Sequence, residues 1–352
     1  LISLRNRARF DCRRRVLSVV TSTIRTVAVV GGGQIGSRYL QGLITCDHQL
    51  RIHLLDPDLN ALGVAQERWV EAGGPESPHT VEFHNEPRTL PQHLQLVIVS
   101  TTAGVRPGVI ESLIENVTIE SWVLEKVLAQ SHCGLDRINA AIGKKTPAWV
   151  NTWFRTTPWF QKIRREVGSG PLLVEINGSS WGLGCNAIHF VDLFAWWTGE
   201  KLLAVDGAGL DRYWLRAKRA GHYELSGRLK ASFSSGTNVI LCSTPPPESG
   251  APAGTGTIDR MSIETAEDLW TVQKPFSETS GLAVGMSGAR IDGRVEYQSE
   301  RTGPLVDSIL NTGKCELPDL MTSTGQHRLL LTGLLEGRPD LEGIAHDEVP
   351  IT

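Results

Sequence analysis

The stretch from Thr26 to Asp56 constrains the fold of this chain more than any other. Thr26-Val-Ala-Val-Val30 is a short β-branched apolar run, the pattern of a parallel strand buried on both faces. It leads directly into Gly31-Gly32-Gly33-Gln34-Ile35-Gly36 and then a helical pattern, and a second apolar run, Arg51 to Leu55, ends at Asp56. Strand, GxGxxG turn, helix, strand and terminal acid in this order form a dinucleotide-binding arrangement. Gly31 allows the tight turn, Gly33 lets backbone approach a pyrophosphate, and Gly36 lets the helix pack close to the strand. Gln34 and Ile35 open the helix whose free amides and positive dipole end would receive the diphosphate. Asp56 can accept from both ribose hydroxyls of an adenosine and repels a 2′-phosphate. Pro57-Asp58-Leu59-Asn60 adds no cation, so NAD is expected in preference to NADP.

The α/β rhythm continues. Val81 to His84 reads as a weak strand and Leu96 to Ser100 as a strong one, opening into the small-residue loop Thr101-Thr102-Ala103-Gly104. Ligands bind at such strand ends in open parallel sheets, which makes Thr101 and Thr102 coenzyme candidates. Pro107 to Glu115 reads as a helix. The strand Ser121 to Leu124 ends in Glu125-Lys126, two charges that are expensive to place after a buried strand unless they face a polar cleft.

Composition narrows the class. The 352 residues are 40% apolar and 21% charged with net charge −3, a globular profile without the cationic field that nucleic acid or an anionic membrane would need. No apolar run is long enough to span a bilayer, and a soluble cytoplasmic protein is expected. The six cysteines lie far apart with no CxxC, so neither a metal nor disulfides are expected. Residues 1–24 are basic and read as a disordered tail, 25–147 as a Rossmann domain, and 148–352 as an α+β substrate-binding and oligomerisation domain.

Three further stretches carry a resemblance. They are Glu125-Lys126-Val127; Val150-Asn151-Thr-Trp-Phe-Arg155-Thr-Thr-Pro158; and the helix Gly182-Leu-Gly-Cys-Asn-Ala-Ile-His189-Phe-Val-Asp192. With the glycine turn, they resemble the Gfo/Idh/MocA family of sugar-type oxidoreductases, well over residues 25–200 and in general pattern beyond. The family's second signature is Glu-Lys-Pro, and here Val127 replaces the proline. The resemblance implies a Rossmann domain with a parallel sheet, followed by an α+β domain with a large, mostly antiparallel open sheet. It also implies hydride transfer between nicotinamide and a sugar, amino sugar, sugar nucleotide or cyclitol, with Glu125 and Lys126 at the coenzyme. Assembly as a homodimer or homotetramer through the open sheet face follows from the same resemblance.

Cys185, His189, Asp192 and Trp196 fall on one helical stripe. In the resembled family the lysine contacts the reacting hydroxyl, and the histidine or a nearby acid takes its proton. Lys126 suits a cation beside a developing alkoxide, and His189 has the intrinsic pKa of a base. Asp192 either orients that imidazole or caps a buried network. The family often places an aspartate where Cys185 stands, and neither Cys185 nor Asn186 replaces a carboxylate. Either His189 works without that acid, or the substrate is not a simple polyol, or catalysis is lost. Arg155, Trp181, Cys185, Asn186 and His189 are the substrate-binding candidates. Six of the ten tryptophans fall between Trp149 and Trp197, and Trp181 and Trp153 are the best placed to stack on a sugar.

Strands are expected at Leu172–Ile176, Tyr223–Ser235, Asn238–Ser243 and Met261–Thr265, with residues 244–257 as a hairpin excursion and a helix over Leu320–Leu335. His327 in that helix reads as a surface residue or a substrate contact. Two other readings remain open beside the dehydrogenase. One is a non-catalytic NAD-binding sensor, the other an enzyme that uses NAD catalytically for elimination or hydrolysis of a sugar.

Overall fold

A computed structural model describes residues 24–246, 251–276, 280–340 and 342–352. The tail expected over 1–24 lies, except for Ile24, outside the described residues.

Six parallel strands form the first sheet: β1 (Arg25–Val30), β2 (Leu50–Leu55), β3 (Thr80–His84), β4 (Leu96–Val99), β5 (Trp122–Leu124) and β6 (Ala148–Val150). Their spatial order is β3-β2-β1-β4-β5-β6, so the chain reverses direction across the sheet between β1 and β4. Open α/β sheets bind ligands outside the carboxyl ends of the strands at this switch point. The glycine turn after β1 and the Thr101 loop after β4 both lie there. Four helices connect the strands: α1 (Gln34–Leu43), α2 (Leu59–Glu71), α3 (Arg106–Asn116) and α4 (His132–Ile142). Val27 and Val29 face one core and Ala28 and Val30 the other, as expected of a strand covered on both sides. β6 joins this sheet just past the boundary expected at residue 147.

After α5 (Pro158–Val167), strand β7 (Leu173–Ser179) and α6 (Leu183–Thr198) begin the second layer. It is completed by β8 (Leu202–Leu210), β9 (Gly227–Phe233), β10 (Asn238–Thr244), β11 (Thr257–Glu264), β12 (Leu269–Gln273), β13 (Gly281–Gly285) and β14 (Arg290–Gly293). The order is β8-β9-β10-β7-β11-β12-β13-β14, antiparallel except where β10 meets β7. α7 (Gln298–Thr312) returns to pack on α1, placing Val306 and Ile309 in the core behind β1. α8 (Leu320–Gly337) lies along β8 and α6. Gly207, Gly333 and Gly337 make the α8–β8 approach possible, because an added Cβ at any of them would overlap backbone oxygen of the other element.

Two expectations need correction. The run Tyr223–Ser235 is broken: Tyr223–Glu224 pairs with Leu215–Arg216, and β9 begins only at Gly227, whose φ of +100° turns the chain. Residues 244–257 do not form a hairpin, because β7 lies between β10 and β11 and the connection crosses it. Residues 247–250 of that connection lie outside the described residues.

Candidate active site

The glycine-turn end of the candidate site is built mostly from backbone. Gly31 takes φ +100°, and a Cβ there would press within 3.1 Å of Ser100 and Thr101 on the neighbouring strand end. A Cβ on Gly36 would overlap the Gly31 carbonyl, so turn and helix meet closely, whereas nothing lies within 4 Å of the corresponding position on Gly33. Gly33 is the N-cap of α1, Gln34 and Ile35 follow, and no side chain caps the first-turn amides. The Gly32 amide donates to Asp56 Oδ2 (2.6 Å) and the Asp58 amide to Oδ1 (2.8 Å). The Asp56 carboxylate is therefore fixed beside the turn with acceptor capacity to spare. Thr101 and Thr102 sit opposite, and Thr101 Oγ1 is buried with no partner among the described residues. Buried Arg106 donates to the carbonyls of Thr101, Val127 and Leu128 and so ties the β4 and β5 ends together.

Glu125 and Lys126 diverge. Glu125 is 4% exposed and accepts from Tyr39 Oη (2.5 Å), Asn151 Nδ2 (2.7 Å) and Gln298 Nε2 (3.3 Å). It joins α1, β5, the loop after β6 and α7, which is a positioning task. Tyr39 is correspondingly held as a phenol, its pKa raised by burial and then by the Glu125 charge. Lys126 Nζ donates to the Cys185 carbonyl (3.1 Å) and to Asn186 Oδ1 (2.9 Å). Two of three ammonium donors are thus used to aim it at the first turn of α6. The Lys126–Val127 peptide is cis.

α6 starts at Gly182 and stops at Gly199, both in the left-handed region (φ +77° and +74°). Asn186 and His189, one turn apart on it, line a cleft of about 520 Å³ with Trp153, Phe154, Trp181 and Phe276. Asp259 and Lys274 stand at its rim. His189 is 1% exposed, stacks on Phe154 with ring centroids 4.3 Å apart, and meets the edge of Trp153 at 4.7 Å. Its Nδ1 has no partner among the described residues. Burial, and then the charge of Lys126 and the nearby His327, push its pKa well below the ordinary histidine value. The ring is neutral at pH 7 and can accept a proton or a hydrogen bond.

Other candidates have different surroundings. Asp192 is wholly buried and accepts from Thr152 Oγ1 (2.8 Å) and Arg155 Nη1 (3.1 Å). Of the two roles open to it, the structure gives it the buried network rather than the imidazole. Burial raises its pKa, with Arg155 opposing. Arg155 pairs with Asp192 through Nη1 while its Nε has no partner among the described residues, and it does not line the cleft, so its placement departs from that expected of a substrate contact. Trp181 lines the cleft while donating Nε1–H to the Cys242 carbonyl (2.8 Å). The Cys185 thiol turns toward the Gly182 carbonyl (3.5 Å), and burial followed by the Glu224 charge pushes its pKa up.

Sequence reasoning missed Glu224 and misread His327. Glu224 is 3% exposed and accepts from the amides of Gly184 (2.8 Å) and Cys185 (3.2 Å). A carboxylate from the short strand Tyr223–Glu224 therefore stands where α6 itself offers a cysteine. Nothing local signals this, since the pairing is 39 residues apart. His327 is neither a surface residue nor a cleft contact. It is fully buried, donates Nδ1–H to the Ser323 carbonyl (2.8 Å), and its Nε2 has no partner among the described residues. Burial lowers its pKa to about 3. The apolar periodicity of α8 was the available signal: a polar residue inside such a stripe is buried with it.

No known family model matches the chain, and no curated protein does. Solved structures do. UDP-N-acetylglucosamine 3-dehydrogenase GnnA from Acidithiobacillus ferrooxidans superposes with TM-score 0.62 at 14% identity, covering 88% of this chain and 97% of its own. Scyllo-inositol dehydrogenase from Lactobacillus casei, with bound NAD(H) and scyllo-inositol, gives TM-score 0.63 at 16% identity over 90% and 97%. The transcriptional regulator Gal80p from Kluyveromyces lactis gives TM-score 0.65 at 11% identity over 91% of each chain. The chain thus has the two-domain fold of the Gfo/Idh/MocA-type dehydrogenases over about nine-tenths of its length.

Proposed function

We propose that the chain is an NAD-dependent oxidoreductase that transfers hydride between nicotinamide and a hydroxyl or carbonyl carbon of a sugar-like or cyclitol substrate. The observation that carries this reading is the Lys126–Asn186 bond at 2.9 Å, which ties the ammonium to the cleft that neutral His189 lines. The turn fits a dinucleotide, with open space at Gly33, uncapped α1 amides and an anchored Asp56. Gly31, Gly33, Gln34, Ile35, Gly36, Asp56, Thr101 and Thr102 would hold it, and a bound nicotinamide supplies the hydride acceptor. Lys126 stabilises negative charge developing on the substrate oxygen through its remaining N–H. Neutral His189, a weakened base in this surrounding, accepts the hydroxyl hydrogen bond and takes the proton as hydride departure makes the hydroxyl strongly acidic. The indole and phenyl faces of Trp153, Phe154 and Trp181 exclude water and suit the C–H faces of a cyclic polyol. Asp192 and Arg155 act indirectly, by fixing the loop from Thr152 to Phe154 against α6. A second copy of the chain would dock on the open face of the large sheet, where Leu173 and Leu203 are exposed.

The test is NADH formation at 340 nm across a panel of polyols, amino sugars and sugar nucleotides. Turnover that requires Lys126 supports the reading. NAD binding without turnover on any of them turns it toward the sensor reading, which the likeness to Gal80p favours. Product formation with retained coenzyme and no net NADH marks the elimination chemistry. Among the described residues no helix is long and apolar enough to cross a membrane.

A further inference from the structure

The outer edge of the first sheet brings together three metal-binding side chains that the coenzyme cleft does not use. In the parallel register His53 lies opposite Glu82, and Leu55 opposite His84. Side chains two apart on a strand share a face, so His53, Glu82 and His84 all project to the same side. His53 Nδ1 lies 2.9 Å from His84 Nε2 and 3.7 Å from Glu82 Oε2, and the three donor atoms lie within 4.8 Å of one another. His53 is 2% exposed, whereas the Glu82 side chain is 55% exposed, so the cluster has a buried floor and an open side.

The His84 tautomer points the same way. Thr89 Oγ1 donates to the Glu86 carbonyl (2.7 Å) and therefore accepts from His84 Nδ1–H at 2.9 Å. That leaves the His84 Nε2 lone pair facing His53 Nδ1, whose N–H donates to it at 2.9 Å. Binding a metal moves this proton to the other ring nitrogen of His53, which has no partner among the described residues, or releases it to solvent. An outer partner that fixes tautomer and ring orientation is what ligating histidines usually have. We propose that His53, Glu82 and His84 form a binding site for one divalent transition-metal ion of the zinc type, with the open side left to water. Two imidazoles and one carboxylate favour zinc, cobalt or nickel over the all-oxygen cations magnesium and calcium. Bonds of roughly 2.0–2.1 Å at a tetrahedral centre require ligand atoms about 3.3 Å apart, so the rings must part by about half an ångström. His84, half-buried at the end of β3, has room to do so. A metal there clips edge strand β3 to β2. It also steadies the backbone that receives the Asp56 amide, which donates to the His84 carbonyl at 3.0 Å. Arg51 stands on the same face two residues before His53, and its charge opposes a cation there.

The test uses the untagged full chain stripped with chelator, titrated with Zn²⁺ against a chromophoric indicator and with Co²⁺ followed by visible absorption. Expected are one equivalent of either metal, a melting temperature that rises with Zn²⁺ and falls back on chelation, and a tetrahedral cobalt spectrum. Glu82→Gln, at an exposed position, and His84→Ala should each weaken binding about 10-fold or more. If His84→Ala fails to fold, Glu82→Gln decides alone. Absence of stoichiometric binding, or equal binding by Glu82→Gln and the parent, overturns the site. Neither result depends on whether the chain turns over a substrate.

Discussion

The two ends of the proposed site are made in opposite ways. The coenzyme end uses contiguous backbone: a turn, the amides of one helix and a carboxylate held by two more amides. The substrate end uses side chains from β5, α6 and the loop after β6, each aimed by a partner elsewhere in the chain. At the first end a methyl group in the wrong place is the danger. At the second, the danger is a missing polar atom.

The sharpest break of this comparison lies within the glycine turn. Gly36→Ala places a methyl into the Gly31 carbonyl and should cost about 3 kcal/mol or more, with loss of coenzyme binding, in a denaturant melt and an NAD titration. At the substrate end Lys126→Ala should lower kcat by about 100-fold or more, roughly 2.7 kcal/mol, while leaving the NAD Kd within about threefold. Equal loss in both quantities would assign Lys126 to the coenzyme instead. Glu224→Gln keeps one acceptor oxygen and puts an amide donor against the other of the Gly184 and Cys185 amides. It should destabilise the chain by about 1–3 kcal/mol in chemical denaturation, with little change in NAD affinity. Gly33→Ala has open space and an ordinary φ of −65°, so melting should shift by less than about 0.5 kcal/mol. Its NAD affinity should still fall about 10-fold, because the methyl occupies the approach of the diphosphate.

A pH slope separates the buried histidines. His327 has a pKa of about 3 in the folded chain against an ordinary value of 6.5, so between these pH values the unfolded chain binds the extra proton. Its contribution to stability is complete above about pH 6.5 and is lost as the pH falls toward 3, at no more than about 1.4 kcal/mol per pH unit. His327→Gln should flatten the acid limb of a stability–pH curve by that amount. An unchanged slope would assign the limb to other buried histidines such as His53, lowered to about 4.

The coenzyme end was legible in the sequence because its parts are neighbours along the chain. Strand, turn, helix and Asp56 each announce themselves through local pattern. Lys126 and His189 were legible as candidates through their motifs. Their partners were not. Asp192 bonding Thr152 and Arg155, Glu224 reaching the start of α6, and Glu125 sealed between Tyr39 and Asn151 all join residues far apart in sequence. The same holds for His53, Glu82 and His84, which no ligand spacing reveals and only the pairing of β2 with β3 assembles.

Short-range sterics and periodicity, read from the residue order alone, determine that residues 25–55 form a βαβ unit with a tight glycine turn and that strand-forming runs recur in the second half. Which polar groups are spent on one another and which are left facing the cleft was decided only by the packed fold. The reason is that burial makes every unpaired polar atom costly, and the partner that satisfies it can come from any strand or helix the tertiary structure brings within about 3 Å.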